Sequence, residues 1–253
     1  HRWKVLARVC ASHDLPNDTR TTLADASFER YPLDTIRQLS IFRLPEGDTI
    51  HRLLKEGLSL NQKSVVAYLQ KNASPFFRDL AEQSLWSCVS NTPWEAADVA
   101  IRADVKSQGL LSALALETFA RDPARALRFI RESQGFSQET LGQLAMQLSA
   151  IDAVAVSRNI KMFGALPSTT LVAIAHRIAV VDPKRALSYL TTPLFRNEEE
   201  RRDLLLSMAK SPEGAERAAE ALHSCLFASP ETKLLILERC AERAPDAAIK
   251  ALR

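Results

Sequence analysis

The sequence predicts an all-α fold, a single tandem array over 1–253 of about eight helix-turn-helix units of roughly 30 residues each. Three observations carry this expectation. Pro93, Pro123 and Pro183 open similar segments thirty or sixty residues apart, Ala153 fills the gap at the same phase, and Pro212 and Pro245 continue the series with small length changes. A second series, Asn17, Asp48, Ser74, Ser107, Ser137, Ser168, Asn197 and Ser229, places a short polar side chain before each intervening apolar stretch. Such oxygens can accept the unpaired N–H groups of a first helical turn. Only seven glycines occur in 253 residues, which disfavours tight hairpins and glycine-rich phosphate cradles.

The elements follow in order. An orphan helix is expected over roughly 2–12. First helices then fall near 18–30, 49–58, 75–90, 108–120, 138–150, 169–180, 198–210 and 230–242. Pro75 and Pro230 come directly after their caps, where a missing N–H costs nothing. Leu110, Leu114 and Leu116 with Phe119, then Leu141, Leu144 and Leu148, then Leu171, Ile174 and Ile178 give these helices apolar stripes wide enough for burial between two neighbours.

Second helices begin near 33, 63, 93, 123, 153, 183, 212 and 245. Three, four and seven residues after these starts come Ala96-Ala97-Ala100, Ala126-Leu127-Ile130, Val156-Ser157-Ile160, Ala186-Leu187-Leu190 and Ala248-Ile249-Leu252, which share one helical face. The small residue at the first position lets a paired helix approach closely. Early units are less regular: Lys63 stands where later units carry proline, Pro32 is one residue out of phase, and Leu44-Pro45-Glu46-Gly47 breaks the pattern near 43–48.

Net charge is only +3, from 33 basic and 30 acidic residues, so any polyanion contact must come from local arrangement. The chain opens on His1 with no charged-then-apolar leader, and reads as a piece or processed form of a longer protein. No apolar run approaches the ~20 residues of a bilayer span, so a soluble intracellular protein without membrane contact is expected. Cys10, Cys88, Cys225 and Cys240 lack short paired spacings and read as reduced, mostly buried thiols.

The periodicity over about 17–253 resembles the α-solenoid superfamily that includes HEAT, pentatricopeptide and octotricopeptide arrays. Asp122-Pro123-Ala124-Arg125-Ala126-Leu127 and Asp182-Pro183-Lys184-Arg185-Ala186-Leu187 look like the second-helix openings of such repeats, although thirty residues is shorter than most named versions. The likeness implies a right-handed superhelix. With 23 arginines against 10 lysines, the chain also resembles the helical-repeat proteins of RNA processing in protist mitochondria, which implies a mitochondrial setting and RNA-processing partners.

No nucleophile elbow, paired-His zinc helix, phosphate loop or carboxylate cluster is present, so no catalysis, metal or cofactor is expected. Cys10, His13 and Asp14 make only a fragment of a metal or thiol site. His51-Arg52 and His176-Arg177 could meet phosphate or carboxylate. Glu198-Glu199-Glu200 with Arg201-Arg202 reads as first-turn support for a helix.

One column carries the functional expectation. Five residues after the second-helix starts stand Arg128, Arg158, Arg217 and Lys250, with Ser188 as the gap and Arg125, Arg131, Lys161, Arg185 and Arg253 on adjoining positions. Stacked units would align them into a stripe able to follow single-stranded RNA through its phosphates. The plain alternative is a solvated face paired with Glu132, Glu213, Glu216, Glu220 and Asp246. Aromatic residues do not recur at one phase, so base-specific readout has no support. Trp94, directly after Pro93, is a candidate anchor for a protein partner. The expected function is therefore a non-catalytic scaffold in a multi-subunit assembly with RNA-backbone contacts. The alternatives are a protein-binding adaptor without RNA contact, or an accessory domain of a larger enzyme.

Overall fold

The computed structural model describes residues 2–11, 15–45, 47–190, 192, 194–195, 197–224 and 228–252, excepting the side chains of 223 and 224. Seventeen α-helices and four short 3-10 turns occur among them, with no strand. In order the helices are α1 Arg2–Ala11, α2 Asn17–Arg30, α3 Pro32–Arg37, α4 Asp48–Leu60, α5 Gln62–Asn72, α6 Arg78–Ser84, α7 Pro93–Arg102, α8 Gln108–Arg121 and α9 Pro123–Glu132. They continue as α10 Gln138–Ile151, α11 Ala153–Arg158, α12 Ser168–Val181, α13 Pro183–Leu190, α14 Glu198–Met208, α15 Pro212–Ser224, α16 Pro230–Ala241 and α17 Pro245–Ala251. These bounds follow the expected ones to within a few residues, except near 75–90, where a 3-10 turn, α6 and a second 3-10 turn replace one continuous helix. At the breaker expected near 43–48, Arg43 takes left-handed backbone angles and α4 begins at Asp48.

Contacts group the chain into two units, His1–Ser137 and Gln138–Arg253. In the first, α2 packs on α3, α4 on α5, α6 on α7 and α8 on α9, while α3, α5, α7 and α9 pack in succession. In the second, α10 packs on α11, α12 on α13, α14 on α15 and α16 on α17. There α10, α12, α14 and α16 form one succession, and α13, α15 and α17 another.

Each helix start has a local cause. Pro93, Pro123, Pro183, Pro212 and Pro245 are first helical residues, as expected. Asp122, Asp152 and Asp182 cap α9, α11 and α13 by accepting from the N–H groups of Arg125, Ala155 and Arg185 at 3.1, 2.8 and 3.1 Å. Asp152 thus explains why α11 begins in phase without proline.

The first-helix caps need correction. Asn197 and Ser229 do accept from Glu200 and Thr232 N–H, at 2.7 and 3.2 Å. Asn17, Asp48 and Ser168 instead lie inside their helices, behind Pro16, Gly47 and Pro167. A residue with helical backbone angles no longer aims its side chain at the N–H groups ahead of it. Ser107 occupies its cap position without a side-chain bond, and the Ser74 hydroxyl is buried without a partner.

Packing follows the expected faces. Ala96, Ala97, Ala100, Ala126, Leu127, Ile130, Val156, Ser157, Ala186 and Leu190 are buried, and Phe119 on α8 is fully enclosed. In the Pro212 helix Gly214, Ala215, Ala218, Ala219 and Leu222 are buried, while Glu216 is exposed. α17 departs from the expectation: Ala248 is buried, yet Ile249 and Leu252 are exposed, because no further helix pair among the described residues covers that face.

Side chains at the starts of first helices tie neighbouring pairs together. Gln108 donates to the Gly135 carbonyl at 2.6 Å and accepts from Ser137 N–H at 2.8 Å. Gln138 donates to the carbonyls of Phe163 and Ala165 at 2.9 and 3.2 Å. Glu198 accepts from Ser229 N–H at 2.8 Å. These partners lie 25 to 31 residues apart, so the sequence period reappears as a hydrogen-bond period. At Gly135 a Cβ would stand 2.3 Å from the Val105 carbonyl oxygen, which leaves no room for a side chain. Near the ends of first helices, Arg121 donates to the carbonyls of Ser90 and Asn91, and Arg177 to the Met146 carbonyl and Ser149 hydroxyl.

Candidate functional site

In the first unit, α7 and α9 border a groove of about 240 Å³, and it gathers three of the side chains that the sequence singles out. Trp94, at the second position of α7, is half-buried at its head. The guanidinium carbons of Arg125 and Arg121 lie 5.6 and 5.8 Å from its ring centroid, within cation–π range. Arg121 is placed there by its bonds to Ser90 and Asn91, just ahead of α7. Ala97, Ile101 and Phe129 form the apolar wall, and Asp98, Arg128 and Glu132 the charged rim.

Beneath them lies Thr118 of α8, 1% exposed, whose hydroxyl has no hydrogen-bond partner. A buried hydroxyl left unpaired costs about 1–3 kcal/mol. Sequence reasoning missed Thr118 and Arg121, since Thr118 reaches the groove and Arg121 the Trp94 ring only through the packing of α8 against α7 and α9.

The rim charges are largely committed within the chain. Arg128 donates to Glu132 at 2.8 Å, and this hydrogen bond and charge raise the Arg128 pKa above its ordinary value. Arg125 pairs with Asp122 at 3.4 Å. Both pairs are solvent-exposed, and such pairs contribute about 0–1 kcal/mol. A partner's carboxylate could therefore replace either of them at little cost.

The second unit holds the rest of the expected column. Arg217 pairs with Glu220 at 3.3 Å, and Lys250 lines a groove of about 290 Å³ beside Glu216, Glu220 and Asp246. Arg185 bonds the Tyr189 hydroxyl, which also meets Ser157 of α11; burial still raises the Tyr189 pKa, the leading effect, against these bonds and the Arg185 charge. Arg158 and Lys161 are exposed and form no ion pair with a described carboxylate. Arg253 lies outside the described residues. The pairing with Glu132 and Glu220 is the arrangement expected of a solvated face, and it leaves Arg158 and Lys161 as the open cations of the column.

Other expectations resolve into structure. Arg52 reaches Asp25 at 2.5 Å and Glu56 at 3.4 Å. Glu198 spans to the cap of α16, where Thr232 and then Ser229 hold its carboxyl below the usual range, while Arg202 pairs with Glu199 and Asp203. Cys10, Cys88 and Cys240 are free thiols, and burial pushes Cys240 up to about 11. Cys225, His13 and Asp14 lie outside the described residues. Among the described residues no group of three His, Cys, Asp or Glu side chains could hold a metal ion, and no helix is long and apolar enough to cross a membrane.

Comparison with protein-family models, with curated proteins and with solved structures finds no match to this chain. Its functional reading therefore rests on the groove and the open cations.

Proposed function

We propose that the chain is a non-catalytic scaffold, a right-handed α-solenoid of about eight helix-turn-helix repeats that holds a protein partner within a larger assembly. The α2/α3 to α16/α17 pairings and the near-thirty-residue hydrogen-bond period support the repeat reading. One observation carries the partner reading: Trp94 lies within cation–π range of two guanidinium groups at the head of a groove lined by Phe129, Ile101 and Thr118. An aromatic ring beside arginines, over an apolar wall, is the composition in which binding hot spots are enriched. The partner is an acidic segment that sets an apolar side chain against Trp94 and Phe129 and a carboxylate on Arg125.

Co-purification of the full-length protein from its source tests this. Trp94→Ala with Arg125→Gln is expected to reduce recovery of the stoichiometric partner about tenfold or more while circular dichroism stays unchanged. Undiminished recovery would remove the groove from the account.

A second reading, RNA-backbone contact in a mitochondrial RNA-processing assembly, draws on Arg158 and Lys161, which stand three residues apart without described carboxylate partners. The same preparations decide it. Arg158→Gln with Lys161→Gln should flatten the salt dependence of single-stranded RNA binding by about two phosphate contacts if this reading holds.

A further inference from the structure

A cavity in the second unit is lined by neither Trp94 nor the Arg158 and Lys161 pair. It measures about 590 Å³ and is bordered by α12, α14 and α16, within the ~300–1,000 Å³ range of small-molecule sites. His176 enters from α12, Ser207 from α14, and Lys210 and Arg243 from just beyond α14 and α16. Leu206, Ala209 and Leu235 add an apolar wall.

Its charges are unevenly committed. Asp203 is held by Arg202 at 3.0 Å, and Glu242 accepts twice from Arg239 at 3.1 and 3.0 Å. Lys210 and Arg243 pair with no described carboxylate. Two positive charges are thus left facing the same cavity. His176 Nδ1 lies 2.9 Å from the Ser207 hydroxyl, and its ring edge rests on Phe195 with centroids 6.3 Å apart. Burial, aided by the Lys210 charge and opposed by Asp203, holds the imidazole below its ordinary pKa. This contact fits either direction of donation; in the tautomer in which Ser207 donates to Nδ1, Nε2 of the neutral ring carries the proton and is a donor.

The Ser207 and His176 pair has another conceivable use, as nucleophile and base. Ser207 lies inside α14, however, where backbone N–H groups bond carbonyls one turn back and cannot stabilise an oxyanion. The hydroxyl therefore orients the ring. Arg243, Lys210 and His176 line the same cavity, and a guanidinium fork and an ammonium that form no ion pair with a described carboxylate suit a phosphate anion.

We infer that this cavity binds a small phosphate monoester, with the phosphate held by Arg243, Lys210 and His176 and an apolar body against Leu206 and Leu235. The site is independent of the Trp94 groove. Calorimetric titration of the full chain with phenyl phosphate, with phenol as the neutral control, tests it at low ionic strength. The expected result is saturable binding with Kd below about 1 mM for phenyl phosphate and none for phenol. Lys210→Gln with Arg243→Gln, both exposed in the free protein, should weaken it about tenfold or more. Arg243→Gln alone supplies a milder variant if the double one unfolds. Absence of saturation up to about 10 mM, equal binding of phenol, or undiminished binding by a folded variant would each overturn the inference.

Discussion

Phe119→Ala is expected to destabilise the first unit by ~3–5 kcal/mol, the largest single effect foreseen for this chain. The ring is fully buried on α8, which packs between α7 and α9, and its removal combines lost transfer free energy with the cost of a residual cavity. Natural domains keep only about 5–15 kcal/mol in reserve, so the loss should be plain in urea unfolding followed by circular dichroism. A midpoint shift equivalent to less than about 1 kcal/mol would mean that the side chain is not enclosed as described.

The second large effect comes from enlarging a residue. Ala126→Phe and Ala186→Phe should each cost ~1–3 kcal/mol, because both methyl groups are fully buried where a second helix meets its neighbours. Equivalent positions in two repeats should respond alike. Ala124→Phe, at an exposed position of the same α9, is the control and should change stability by less than about 0.5 kcal/mol. Neutral behaviour at both Ala126 and Ala186 would contradict the register of the second helices.

That register was legible because local chemistry and long-range packing agree. A proline at the first helical position and an apolar face three, four and seven residues later suffice to place α9 and α13. Asp152 was the missed signal, since a cap at the residue before Ala153 does the work assigned to proline elsewhere. The bridging roles of Gln108, Gln138 and Glu198 stayed hidden for a different reason. A polar residue at a helix start has ample local uses, and only the neighbouring pair reveals that its side chain reaches 25 to 31 residues onward.

The candidate site was legible in part. Trp94, Arg125 and Arg128 were singled out separately, and the packing of α7 against α9 brings them to one groove. Arg121 joins them through carbonyl bonds thirty residues back, and Thr118 through burial, neither of which follows from composition or spacing within a single helix. Conversely, the cationic column looked more open than it is. Glu132 lies four residues after Arg128 and Glu220 three after Arg217, spacings at which helical side chains meet and exposed charges neutralise each other.

The central claim, that the Trp94 groove receives an acidic protein segment, is tested most directly by a photo-crosslinking amino acid in place of Asp98 on its rim. The full-length protein would be expressed in its source and irradiated before lysis. The expected result is one dominant protein adduct whose crosslinked peptide carries a carboxylate beside an apolar residue, and its loss when Trp94→Ala is added. An adduct that survives Trp94→Ala, an adduct to RNA alone, or no adduct above the unirradiated control would contradict it.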